Sequence, residues 1–439
     1  MQRPEHRILL ACLWVGNDAG RRDEILTCLR NPIDWGYLLG KAAVGGITSL
    51  LRWHLNAICP DSMPTRLQAH LYRRFLDRAA QNLRLTAELL EVLQLLGKEG
   101  IEAVPLGGPL LAHTLYPHPT LRQFDDLDIL VRREEVFRAI RVLAEGGYGP
   151  QPDYSAAIER MVLRNDRCFA LGKADGTTRL DLHWELLPRS WQVPLPVDAW
   201  WRRLRTVALG QRRVPTLRPE DLLVALSVHG FEGMWRSLAW IEDVARLLDR
   251  HRCLDWDELW CSCEHPKLAR ILFVALTVAH RLAGARLPQK VLWWTELDGE
   301  VEALAEEVSR RLFEDLGRGG DSDVKAFHAR LESGRMARFP VWLSSVSTPT
   351  IADLGLRLPR PLLPAYRLWR PLRLLLGIGG RDSRGGAGRR RPGSSADAPF
   401  PYRTALDRVK RPFGVAELDN AFSENKAEKV QDQVKTPSP

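Results

Sequence analysis

The chain has 439 residues, of which 45% are hydrophobic and 27% charged, the balance of a globular protein and not of a mostly disordered, collagen-like or membrane-embedded chain. Its 63 basic residues exceed the 54 acidic ones by nine, and ten of the basic residues are lysine, so the excess is arginine; a dedicated nucleic-acid binder would carry a stronger and more clustered excess. Seven cysteines without regular spacing read as reduced thiols of a cytoplasmic protein, not as a disulfide framework. Along the chain, the apolar run Ile8 to Val15 is broken by Gly16-Asn17-Asp18, too short and wrongly flanked for a signal peptide, and no run is long enough to span a bilayer.

Helical spacing predicts helices from Ile8 to about Lys98, interrupted at Pro60 and Pro64, and this gives a helical N-terminal region over 1–86. The pattern changes at Gly100. Ile101 to Leu106 and Leu127 to Val131 read as strands, 134–146 as a helix closed by Gly146-Gly147, and Arg167 to Leu171 and Thr178 to Trp184 as strands joined by Ala174-Asp175-Gly176. These define an α/β module over 87–210. Apolar stripes then predict helices over 221–229, 238–248 and 268–282 in a helical C-terminal domain, 211–376. Residues 377–439 are rich in Gly, Arg, Ser and Pro, include Arg389-Arg390-Arg391, and read as a disordered basic tail.

The chemistry concentrates in the module. Asp126 and Asp128 stand two apart at a hydrophobic strand, so their side chains share a face, while Asp125 points the other way. Two converging carboxylates need a compensating cation, and magnesium suits hard oxygen ligands. Asp181, flanked by leucines in Arg179 to His183, is a third acid that a neighbouring strand could bring to the pair, and His183 shares its face. Upstream, Gly107-Gly108 precedes a helix start at Pro109, whose free N–H groups favour a phosphate.

This order of features resembles the active site of the polymerase-β-type nucleotidyltransferase superfamily. Ile33-Asp34-Trp35, Leu106-Gly107-Gly108-Pro109, Leu115-Tyr116-Pro117, Arg122 to Val131, Gly147-Tyr148, Leu180 to Trp184 and the His229 to Leu248 segment together are similar to one uncharacterised bacterial group of nucleotidyltransferase family proteins, over roughly residues 8–375. The resemblance implies an α+β fold: a polymerase-β-like core, a small mixed sheet with flanking helices, between helical N- and C-terminal regions. It implies magnesium-dependent transfer of a nucleoside monophosphate from an NTP, with two ions expected and manganese a substitute. Asp126, Asp128 and Asp181 would be the metal carboxylates, Gly107, Gly108 and Arg122 the nucleotide-binding residues, and His183, His229 and Asp243 the acceptor side. The acceptor is left open: a sugar, a lipid-linked or peptide intermediate, or an RNA end. Relatives commonly carry Lys-Gly where this chain has Gly107-Gly108, which brings in a rival reading, a catalytically silent nucleotide- or partner-binding relative; an RNA-binding accessory protein is a second alternative.

Other features read as structure. His251, Cys253, Cys261, Cys263 and His265 have the wrong spacing for a zinc knuckle. Trp200, Trp201, Trp293 and Trp294 are expected to fill helix interfaces.

Overall fold

A computed structural model describes residues 3–15, 18–150, 162–163, 166–314 and 321–331. The basic tail and the C-terminal domain's last stretch, from 332, lie outside the described residues. Among those described, no helix is long and apolar enough to cross a membrane.

The first four helices are α1 (Pro4–Leu13), α2 (Asp18–Leu29), α3 (Trp35–Val44) and α4 (Thr48–Ile58). Asp34 starts α3 as its N-cap, its side chain accepting from the Tyr37 N–H at 2.9 Å, so the Ile33-Asp34-Trp35 motif is a helix start. After Pro60 and Pro64 the chain enters the long α5 (Thr65–Lys98). Its Leu67 and Leu71 join the core of the helical regions, whereas Leu85, Leu89, Val92 and Leu96 join that of the sheet. One helix thus serves two cores.

The sheet is built from β1 (Ala103–Pro105), β2 (Leu127–Val131), β3 (Tyr148–Pro150), β4 (Cys168–Lys173) and β5 (Arg179–His183), in the order β1-β2-β5-β4-β3. Helix α6 (Gly108–Leu115) follows β1, and α7 (Val136–Glu145) follows β2. The pairing of β2 with β5 is parallel and the others are antiparallel, which makes the sheet mixed. Alternation gives it two unlike faces. Leu127, Ile129, Val131, Phe169, Leu171, Leu180 and Leu182 face α5 and α7, while Val104 and Leu130 meet the core of the helical regions.

After α8 (Val197–Arg202), a hairpin of β6 (Arg205–Leu209) and β7 (Arg212–Thr216) turns at Gly210 and sends Leu209 and Val214 into the sheet's core. It carries the module past the expected boundary at 210. The alternation in Arg205 to Thr216 is a readable signal for it. Then come α9 (Pro219–Glu232), α10 (Leu238–Arg250), α11 (Trp256–Ser262), α12 (Pro266–Ala283), α13 (Gln289–Glu296), α14 (Gly299–Arg311) and α15 (Asp321–Ala329). Their buried residues form one continuous core with those of α1, α3 and α4. The two helical regions, expected on either side of the module, therefore share an interior. Trp200 and Trp201 are buried as expected, but Trp293 is 57% exposed: α13 is a short helix whose Val291 faces inward and whose Trp293 projects outward.

Candidate active site

The carboxylates stand on the sheet face turned toward the helical core. The parallel register sets Asp128 directly beside Asp181, with Leu127 beside Leu180 and Leu130 beside His183. Asp126 is not in the strand, as the alternation suggests; it occupies the bend just ahead of β2. That bend is held from outside. Asn82 of α5 donates to the Pro119 and Arg122 carbonyls at 3.0 and 2.9 Å, and Arg78 and Gln81 bind Asp125 at 2.6 and 2.8 Å. Asp125 is thus tied to α5 and is not part of the acidic cluster's face.

The start of α6 closes another side. Gly107, its N-cap, offers no side-chain cap; Pro109 has no N–H and the Leu110 N–H donates to the Gly107 carbonyl at 3.2 Å, so the N–H that the helix start offers first is that of Gly108. A Cβ on Gly107 would lie 3.6 Å from Asp128 Oδ2, which places this backbone against the acids. Gly108 has φ +52°, and a Cβ there would come within 3.4 Å of the Asp126 carbonyl, so the left-handed turn and the close approach both favour glycine.

Charge in the cluster is unevenly shared. Burial, then the neighbouring Asp128 and Asp181 charges, raise the pKa of Asp126 well above the ordinary carboxylate range, with Arg179 only partly offsetting them. Burial opposes ionisation of Asp128 too, but the His183 hydrogen bond and charge, with His229 and Arg179 beyond, outweigh it and hold that carboxyl low. His183 Nε2 donates to Asp128 Oδ1 at 3.0 Å. Arg179 grips Asp181 through both oxygens, Nε to Oδ1 at 3.3 Å and a terminal nitrogen to Oδ2 at 2.9 Å. Sequence reasoning missed Arg179: its place two residues before Asp181 puts both on the same strand face but does not tell that the two bind.

The expected acceptor-side and nucleotide residues fall into two groups. His229, on α9, is exposed and stands edge-on to Trp240 at 5.0 Å; desolvation by the surrounding protein lowers its pKa, against the pull of Asp128 and Glu232. The joint beside it is tight: Met234 and Trp235 both take positive φ, and the Trp235 ring lies where a Cβ on Gly230 would be, 2.5 Å away. Arg122 and Asp243 instead bind each other. Arg122 donates to both Asp243 oxygens at 2.8 Å, Tyr116 adds a third bond at 2.8 Å, and the side chains are 10% and 1% exposed. The guanidinium also reaches the Gly108 carbonyl at 3.4 Å. Asp243 is therefore enclosed, and Arg122 joins the α6 start to α10; neither stands free in the cleft, because each is the other's buried counter-charge.

Among the described residues no three His, Cys, Asp or Glu side chains form a ready metal cage. The acidic cluster nonetheless has the donor chemistry for magnesium: hard carboxylate oxygens, two of the acids on adjacent strands in register, one acid whose pKa is raised by burial and by its acidic neighbours, and a backbone cradle at Gly107. Arg179 occupies oxygens of Asp181 and His183 one of Asp128, contacts that a cation entering the cluster would have to displace.

A small mixed sheet carrying paired acids beside a glycine-started helix, flanked by helices, is consistent with a nucleotidyltransferase-like fold. The family model described as "Uncharacterised nucleotidyltransferase" matches residues 31–284, more than half of the chain and every site residue described above, and the chain belongs to that family. No curated protein and no solved structure matches the chain.

Proposed function

We propose that the protein is a magnesium-dependent nucleotidyltransferase that moves a nucleoside monophosphate from an NTP to an acceptor hydroxyl or phosphate, on a polymerase-β-like core. The observation that carries this reading is the registered pair Asp128 and Asp181, with Asp126 beside them and the uncapped start of α6 against Asp128. Asp126, Asp128 and Asp181 would hold the metal, which when bound supplies the positive charge that neutralises the triphosphate and favours attack at the α-phosphorus. Gly107 and Gly108 let the phosphates approach the α6 N–H groups and the positive end of the helix dipole. His183 fixes the orientation of Asp128, and His229, whose charge acts on Asp128, would serve the acceptor side. Arg122 and Asp243 support these groups from behind by fixing Gly108 to α10.

The test is pyrophosphate release with each NTP and magnesium, cell extract supplying the acceptor, for the native protein and Asp126→Ala/Asp128→Ala. Metal-dependent release that disappears in the double variant is expected. Tight metal-dependent nucleotide binding without release, under every acceptor condition, would instead identify a silent nucleotide-binding relative, a reading favoured by the Arg179 clamp on Asp181.

A further inference from the structure

We infer that Arg179 is a polyphosphate-binding residue kept in reserve, a guanidinium that rests on Asp181 and passes to the nucleotide's phosphates when a divalent cation takes the carboxylate. The inference rests on the metal-dependent reading of the site.

Guanidinium and cation compete for the same atoms. Arg179 engages both oxygens of Asp181, and it also feels the charges of Asp126 and Asp128, so it sits as a fixed +1 in the acidic cluster. A divalent ion entering there must take oxygens from it, and a guanidinium repelled by the ion and deprived of its carboxylate needs another planar or multidentate acceptor. A triphosphate beside the metal is such an acceptor. The Arg179 side chain is 31% exposed, while that of Asp181 is 8% exposed, so the cation is the partner with room to move. Neighbouring arginines are otherwise committed. Arg122 is held by Asp243 and Arg167 by Glu232, each acid lying in the helical region and outside the carboxylate cluster. Arg179 differs because its partner is itself a candidate metal ligand, which makes its release conditional on metal.

The two binding steps should therefore respond to Arg179 with opposite signs. In the native protein, Arg179→Ala and Arg179→Lys, manganese binding is followed by electron paramagnetic resonance with no anion present, and inorganic tripolyphosphate binding by calorimetry with saturating magnesium. Tripolyphosphate is used because it needs no knowledge of the base. Arg179→Ala should bind manganese at least about tenfold tighter and magnesium tripolyphosphate at least about tenfold more weakly, as loss of a charge-assisted two-point contact implies. Arg179→Lys, which keeps the charge without the planar fork, should fall between, and it carries the same comparison if the alanine variant does not fold. A change of the same sign in both affinities, or none in either, would overturn the inference. If the native protein binds both probes, loses manganese in Asp128→Ala and ignores Arg179, the metal site stands and only the role of Arg179 falls. If it binds neither probe, both readings fall together.

Discussion

The sheet has two faces drawn from the same strands, and they are opposite in chemistry. On one, Leu127, Ile129, Val131, Leu180 and Leu182 are fully buried against α5 and α7. On the other, one residue along each strand, Asp128 and Asp181 meet in register, His183 reaches back to Asp128, and Asp126 stands at the bend. The apolar face stabilises the fold by roughly 1.5–3 kcal/mol per buried side chain. The acidic face does the reverse, bringing like charges together in a half-buried cleft that the helical regions close with Arg122 bound to Asp243. The comparison teaches that alternation with a period of two lets one short strand contribute packing and a strained charge cluster at once.

The comparison can be broken hardest at the joint between the acidic face and the helices. Arg122→Ala leaves Asp243 buried without its cation and should destabilise the protein by about 3–5 kcal/mol, read as a lowered denaturant midpoint; a loss below about 1 kcal/mol would mean that the pair does not hold the module to α10.

Within the cluster itself the expectation changes sign. Asp126→Ala should cut pyrophosphate release by more than about 100-fold, beyond what outer-shell changes around a metal cost, while leaving thermal stability unchanged or higher, because burial and its acidic neighbours already disfavour that charge. A variant that loses stability and activity in proportion would show that the acid is structural.

Acid should weaken the helical core at a third point. Burial among Trp191, Phe231 and Phe327 lowers the His328 pKa to about 4 from an ordinary 6.5. Between these values the unfolded chain binds the proton and the folded chain does not, so stability present above pH 6.5 is lost as pH falls toward 4, by on the order of 2–3 kcal/mol. Denaturant midpoints across that range measure it, and His328→Phe should flatten the slope.

The smallest effects separate two adjacent glycines. Gly108→Ala, at positive φ and close to the Asp126 carbonyl, should cost about 1 kcal/mol. Gly107→Ala has ordinary room and an extended φ, so it should change stability by less than about 0.5 kcal/mol and weaken tripolyphosphate binding instead. Equal effects of the two in calorimetry and in unfolding would remove the distinction.

Much of the site is legible in the sequence because its signals are local. Asp128 and Asp181 stand out as acids among leucines, and Gly107-Gly108 before Pro109 marks a helix start that folding sets against Asp128. The fate of Arg122 and Asp243 is not legible: they lie far apart in the chain, and a buried bidentate pair leaves no pattern in either segment. Nor does the strand pattern reveal the clamp of Arg179 on Asp181, although both lie on one strand, because alternation tells which side chains share a face and not which of them bind.

Strand and helix periods, turn glycines and N-caps are set by neighbours in sequence, and so the sequence by itself determined the helical opening, the strands β1, β2, β4 and β5, the acids Asp128 and Asp181 on two of them, and helices that follow. Long-range contacts decided the rest. Only the tertiary structure set β2 beside β5 in parallel register, merged the two helical regions into one core, assigned α5 to both cores and turned Arg122 from a substrate-facing cation into a joint. The reason is physical: register and charge pairing are chosen by burial and Coulomb energy between segments far apart in the chain, and neither quantity exists until those segments meet.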